Sequence, residues 1–190
     1  MTRILVHTLF FGLMLLHGCT SSDEKQQEAT VRSHSGEIRY SAPAGWISET
    51  PSSSMRKAQF RLPGQGGSGD AEMAVFNFPG TGGSVDANLE RWYGQFKQPD
   101  GSSTGERAEK EKINVKGLEV TLVYTTGSFL KSTSPMMMGG PVEELPGYAM
   151  LAAIVEVPGG PWFFKATGPE PTLDYWRNSF DSFVKTFKYN

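Results

Sequence analysis

The chain has 190 residues, with 18 lysines and arginines against 20 aspartates and glutamates and a formal net charge of −2. That length suits one ordinary domain with a sizeable core. The near-balance of charge argues against a nucleic-acid partner, which calls for a basic excess on one face.

The N-terminus reads in three zones. Arg3 gives a positive start, Ile4 to Leu16 an apolar core broken by His7 and Thr8, and LLHGC a cleavage-like site. A membrane-spanning helix needs roughly 20 apolar residues, so this stretch predicts a secretory signal peptide over 1–18. The sole cysteine, Cys19, stands directly after it. LHGC resembles the lipobox of bacterial lipoproteins, with His17 departing from the small residue usual there. The resemblance implies a diacylglycerol on the Cys19 thiol and further acylation of the amine that cleavage frees. Two or more acyl chains anchor stably, where one does so only marginally. An inner-membrane retention aspartate does not follow the cysteine; Thr20 does. By that resemblance the address is the cell envelope, at the outer membrane. With Cys19 acylated, no thiol remains for a disulfide.

Residues 20–36, TSSDEKQQEATVRSHSG, are polar and hold one branched aliphatic. They cannot bury enough surface to fold, and as a flexible tether they span roughly 20–25 Å. One domain is expected over 37–190. EIRYSAP alternates with Ile38 and Tyr40 on one face, and Pro43 and Gly45 turn the chain into Trp46. RKAQFRLP and AEMAVFNFP predict two more strands around the turn GQGGSGD, which lacks the lysine of a phosphate loop.

SVDANLERWYGQFK predicts a helix capped by Ser84, with Val85, Leu89, Trp92, Tyr93 and Phe96 at helical spacing. Arg91 and Gln95 fall one turn apart on its more polar side, a candidate contact patch. PDGSSTGERA loops out, and the sign-alternating GERAEKEKI reads as a solvated strand or loop. EKINVKGLEVTLVYTTGSFL predicts a hairpin turning around Asn114 to Gly117. KSTSPMMMGGPVEELPG is expected as an irregular loop from Lys131 to Gly147. YAMLAAIVEV and WFFKATG follow as paired strands across PGGP. TLDYWRNSFDSFVKTFKY places Leu173, Trp176, Phe180, Phe183, Val184 and Phe187 on one helical stripe. The expected fold is α+β: a mostly antiparallel sheet of six or seven strands packed with two main helices.

This order, opened by YSAPAGW and closed by an amphipathic helix, resembles the PsbP-like superfamily over about 37–190. That superfamily includes the extrinsic photosystem II subunit, a Ran-binding import factor and many envelope lipoproteins. The resemblance implies a PsbP-like sandwich and a non-catalytic binding or assembly role; together with the lipobox it leads to an expected envelope protein partner, and no cofactor is expected.

The residues narrow the chemistry further. All three histidines, His7, His17 and His34, precede the domain, which therefore holds neither histidine nor cysteine. A Ser-His-Asp triad, a Cys–His pair and a histidine or thiolate zinc site are excluded within it. Carboxylate pairs stay open as Asp70 with Glu72, Glu143 with Glu144, and Glu170 with Asp174, though none has a spacing that specifies a site. A serine–lysine pair needs Lys165 buried enough to lower its pKa. In SPMMMGGP, Met136, Met137 and Met138 admit three readings: a loop capping the core, a surface for varied apolar partners, or soft ligands for Cu(I).

Overall fold

The computed structural model describes residues 36–133 and 140–190. Two short strands open the domain, β1 (Ile38–Arg39) and β2 (Ile47–Glu49), followed by β3 (Arg56–Leu62) and β4 (Ala71–Asn77). Helix α1 (Val85–Tyr93) begins where the Ser84 hydroxyl accepts the Ala87 N–H at 3.2 Å, with Asp86 in its first turn. Then come β5 (Phe96–Lys97), the one-turn α2 (Thr104–Arg107), β6 (Glu109–Val115) and the long β7 (Leu118–Ser132). The chain closes with β8 (Val142–Val155), β9 (Trp162–Pro169), α3 (Glu170–Val184) and β10 (Lys188–Tyr189).

Eight strands form one antiparallel sheet in the order β2-β3-β4-β9-β8-β7-β5, with β6 also paired to β7. Strands β1 and β10 make a separate antiparallel pair that ties the two ends of the domain together. The β6–β7 turn is Lys116-Gly117, with φ 53° and 88°; positive φ at both positions suits a tight hairpin.

Period-two alternation sorts the strands onto two faces. On β9, Trp162, Phe164 and Ala166 join Met73, Val75 and Leu151 beneath α3. That helix lays Leu173, Trp176, Phe180, Phe183 and Val184 into this larger core, and the Trp176 indole donates to the Pro63 carbonyl at 2.9 Å. The Phe164 ring lies tilted 4.4 Å from that of Phe187 and edge-to-face 5.6 Å from that of Phe183, centroid to centroid. The opposite face packs Phe163, Met150 and Ile154 against Leu89 and Trp92 of α1. Because α1 is only nine residues long, about 14 Å, it covers part of that face and leaves the rest open.

The fold is α+β and mostly antiparallel as expected, with differences in count that have local causes. The sheet has eight strands rather than six or seven, and three helices rather than two. The first predicted helix stops at Tyr93, where Gly94 caps it and its N–H reaches Glu90 O; Phe96, expected on the helical stripe, is buried from β5 instead. The last predicted helix likewise ends at Val184, and Phe187 reaches the core from beyond it. A single turn, α2, lies inside the expected loop PDGSSTGERA.

Within the irregular loop expected from Lys131 to Gly147, Lys131 and Ser132 belong to β7 and Val142 to Gly147 to β8. Strands β7 and β8 pair out to Lys131 with Glu143 and Ser132 with Val142. A register shift between Gly127 and Phe129 sets Pro146 and Gly147 of β8 against the single Ser128 of β7. A bulge tolerates a proline with no N–H to give, so VEELPG reads as loop while forming strand.

Candidate functional site

The open half of the α1 face holds a pocket of about 510 Å³, lined from β3, β4, β7, β8, β9 and the segment after α1. That volume lies in the range of small-molecule sites. Lys165 of β9 stands in its floor. Its cross-strand neighbours are Ala74 on β4 and Ala152 on β8. Two small residues beside a long side chain leave the space that larger ones would fill. One row further along, Thr167 pairs with Glu72 and Met150.

The Lys165 amine has an unusual set of neighbours. It donates to Oε1 of Gln95, a neutral amide. The rings of Trp92 and Phe129 lie with centroids 5.6 and 5.9 Å from it, near enough for weak cation–π attraction. No ion pair reaches it from the described residues. The side chain keeps partial exposure through the pocket, yet desolvation by its surroundings pulls its pKa down to about 7, helped by the charges of Arg91 and Arg56 and opposed by Glu72.

The other charges around the pocket are paired. Arg56 holds Glu72 at 2.7 Å, Arg61 holds Asp70 at 2.9 Å, and Lys131 faces Glu143 at 3.7 Å. The Gly64 N–H, followed by Arg61, lowers the Asp70 pKa. Asp70 is thus held ionised at neutral pH, the wrong state for a general acid. Phe129 and Tyr148 make one wall, their rings stacked 6.0 Å apart at 10°; Phe76 contributes another part of it.

The sequence-predicted residues divide sharply. Gln95 lies in the pocket, although it follows α1 rather than riding on it. Arg91 is in the last turn of α1, exposed, its guanidinium bonded to Asn88 Oδ1 at 2.5 Å. It acts on the site through its charge. The two are therefore not one helical patch, because Gly94 ends the helix between them.

None of the three carboxylate pairs works as a couple. Asp70 and Glu72 bind different arginines, Glu143 and Glu144 bind Lys131 and Lys97, and Asp174 accepts the Tyr124 hydroxyl at 2.7 Å. The serine–lysine arrangement meets half its condition. Lys165 is desolvated, but its hydrogen bond goes to an amide rather than a hydroxyl. Cys19 and Met136, Met137 and Met138 lie outside the described residues. Among the described residues, no group of three or more acidic, histidine or cysteine side chains is placed to hold a metal ion.

Sequence reasoning missed Tyr148, Phe129 and Arg56. A usable signal was present in WFFKATG. Alternation puts its lysine on the same face as the buried Phe163, where a solvated lysine has no reason to be.

No protein-family model matches the chain, and no curated protein matches its sequence. Several solved structures are similar to it. A Pseudomonas aeruginosa protein of unknown function, PA94, is 12% identical, with a TM-score of 0.46; the likeness covers 74% of this chain and 94% of that one. The solution structure of cyanobacterial PsbP (CyanoP) from Synechocystis sp. PCC 6803 is 16% identical, with a TM-score of 0.47, covering 80% of this chain and 86% of that one. A PsbP protein thus stands among the solved structures to which this chain is similar.

Proposed function

We propose that this chain is a lipid-anchored protein of the bacterial cell envelope whose PsbP-like domain binds rather than catalyses, and that the Lys165 pocket is its binding site. One observation carries the reading: a desolvated amine without a carboxylate partner at the floor of a pocket of about 510 Å³. An uncompensated cation beside aromatic rings costs stability. A domain keeps such a group where something else completes it. The same pocket is poor in catalytic parts. It has no histidine or cysteine, its carboxylates are each held by an arginine, and its lysine bonds to an amide.

Anchorage rests on LHGC and on acylation of Cys19, and it would hold the domain within the tether's reach of the outer membrane. The test compares full chains carrying native sequence, Cys19→Ser and Lys165→Met, by membrane fractionation and by native mass spectrometry of what co-purifies. The native chain is expected with the membranes and Cys19→Ser in the soluble fraction. Bound mass is expected on both, and lost from Lys165→Met. Membrane retention of Cys19→Ser overturns the anchor. Identical bound mass on the Lys165 variant overturns the pocket.

A second reading places contact with an envelope protein partner on the segment from Lys131 to Gly147. It is favoured by position, since Lys131 and Leu145 line the same pocket. In this reading the segment meets a protein at the rim, and its deletion abolishes capture of that protein while leaving the fold intact.

A further inference from the structure

Once the charged residues that line the pocket are matched with their ion-pair partners, one is left over. Arg56 with Glu72, Arg61 with Asp70 and Lys131 with Glu143 cancel in pairs, and the one hydrogen bond of the Lys165 amine among the described residues goes to the neutral Gln95. The hydrogen-bonding groups left unengaged are weighted the same way. The Gln95 amide nitrogen, the Tyr148 hydroxyl and the Thr167 hydroxyl line the pocket, and none bonds to another described side chain. The carboxylates that line it, Asp70, Glu72, are already held by arginines. A site with one spare positive charge and spare donors is complementary to an acceptor carrying one negative charge. The stacked Phe129–Tyr148 wall and Phe76 supply a flat apolar surface beside that charge.

From this juxtaposition we propose that the pocket receives a small monocarboxylate with a flat apolar body, its carboxylate on the Lys165 amine and its body against Phe76, Phe129 and Tyr148. The proposal rests on the pocket being a binding site. A cation is opposed by Lys165, Arg56 and Arg91, and a neutral ligand leaves the amine without a counter-charge. Only the protonated amine recruits the acid. The charges that act on it are Arg91 from α1, Arg56 from β3 and Glu72 from β4, of which Glu72 alone opposes the lowering of its pKa; Asp70 before β4, Lys131 of β7 and Tyr148 of β8 also line the pocket. With the amine titrating at about 7, apparent affinity falls about a hundredfold between roughly pH 6 and 9, since each unit above the pKa removes a factor of about ten.

The test titrates the full chain, in nonionic detergent, with phenylacetate, phenylacetamide and phenethylamine, using calorimetry and the NMR signal of the lysine amine. Saturable phenylacetate binding is expected, weakening about a hundredfold across that pH range, absent for the other two probes, and accompanied by a rise in the Lys165 pKa. Lys165→Met and Lys165→Gln are each expected to abolish it with the circular dichroism of the native fold retained; Phe129→Ala, which keeps the amine, is expected to weaken it about tenfold. Equal binding of phenylacetamide overturns the carboxylate assignment and leaves the pocket standing as a binding site. No saturable binding of phenylacetate overturns the ligand class. No binding of any probe together with Lys165 titrating near 10.5 overturns the pocket as well.

Discussion

The Lys165 amine donates to the side-chain oxygen of Gln95, a residue 70 positions earlier in the chain, and that neutral amide is the only hydrogen-bond partner it has among the described residues. A methionine of similar length fills the same space without a charge to desolvate. Replacing a poorly compensated charge by an apolar group is neutral or stabilising by about 1–4 kcal/mol. Lys165→Met is therefore expected to raise the unfolding free energy by about 1–3 kcal/mol near pH 6, measured by urea denaturation. A variant that gains stability and loses its ligand separates function from fold.

The pH dependence of that gain has a definite sign. The Lys165 pKa is lowered on folding, from 10.5 to about 7, so between those values the unfolded chain binds the extra proton. Stability then rises with pH, by up to about 1.4 kcal/mol per unit for this one group. The advantage of Lys165→Met over the native chain is expected to be largest below pH 7 and to shrink toward pH 10. Denaturation curves of both chains over that range check it, and a constant difference refutes the titration.

Gln95→Glu tests the neutral partner. A carboxylate at the same position pairs with the amine, favours its charged form and raises its pKa. The Lys165 amine signal is expected to titrate above about pH 9 in this variant. Phenylacetate is expected to lose at least tenfold in affinity, because the site then carries its own anion. Retained affinity would mean that charge does not select the ligand.

Much of the architecture was legible in the sequence, because its cues are local. Ser84 caps α1 as expected, the Lys116-Gly117 turn sits where the hairpin was placed, and the α3 stripe from Leu173 to Val184 is buried as its spacing requires. The departures come from tertiary pairing overriding propensity. Phe96 and Phe187 continue the helical spacing and yet enter the core from a strand and from a post-helical turn, since each helix stops before them. VEELPG carries a proline that argues against a strand, and a bulge accommodates it. The site was less legible. Gln95 was singled out for the wrong reason, as part of a helical face. Lys165 depends on Ala74 and Ala152 being its neighbours across two strands, and strand order is not written in any short stretch of sequence.

Gly45 shows the same dependence on distant chain. Its φ of +90° disfavours any side chain, and a Cβ there would lie 2.7 Å from the Trp176 ring. Trp176 cannot retreat freely, because its indole is bonded to the Pro63 carbonyl. Backbone strain and overpacking act together, so Gly45→Ala is expected to cost about 2–4 kcal/mol. Thermal unfolding measures it, and a loss below about 1 kcal/mol would show that the turn shifts to absorb the methyl. The YSAPAGW opening thus has a packing reason for its glycine as well as a turn reason.

Asp100 organises the loop that carries α2. Its carboxylate accepts the Ser102 hydroxyl at 2.6 Å and the Ser102 N–H at 3.0 Å, and it pairs with Arg107. These contacts, the Ser102 hydroxyl foremost, pull its pKa from 3.8 to about 2. A pKa lowered on folding stabilises the folded loop above the ordinary value and withdraws that support as pH falls through the folded one. The loop is therefore expected to hold at pH 5 and to loosen between about pH 4 and 2. The amide of Ala108, which donates to Thr104 O at 2.9 Å and closes the α2 turn, reports it by hydrogen exchange. In Asp100→Asn the charge is absent at every pH, so its exchange is expected to be faster at pH 5 and to lose the step below pH 4. Arg107→Gln removes the ion pair but keeps both Ser102 contacts, and is expected to preserve most of the protection. The reverse ranking would make the arginine, rather than the Ser102 turn, the element that holds the loop.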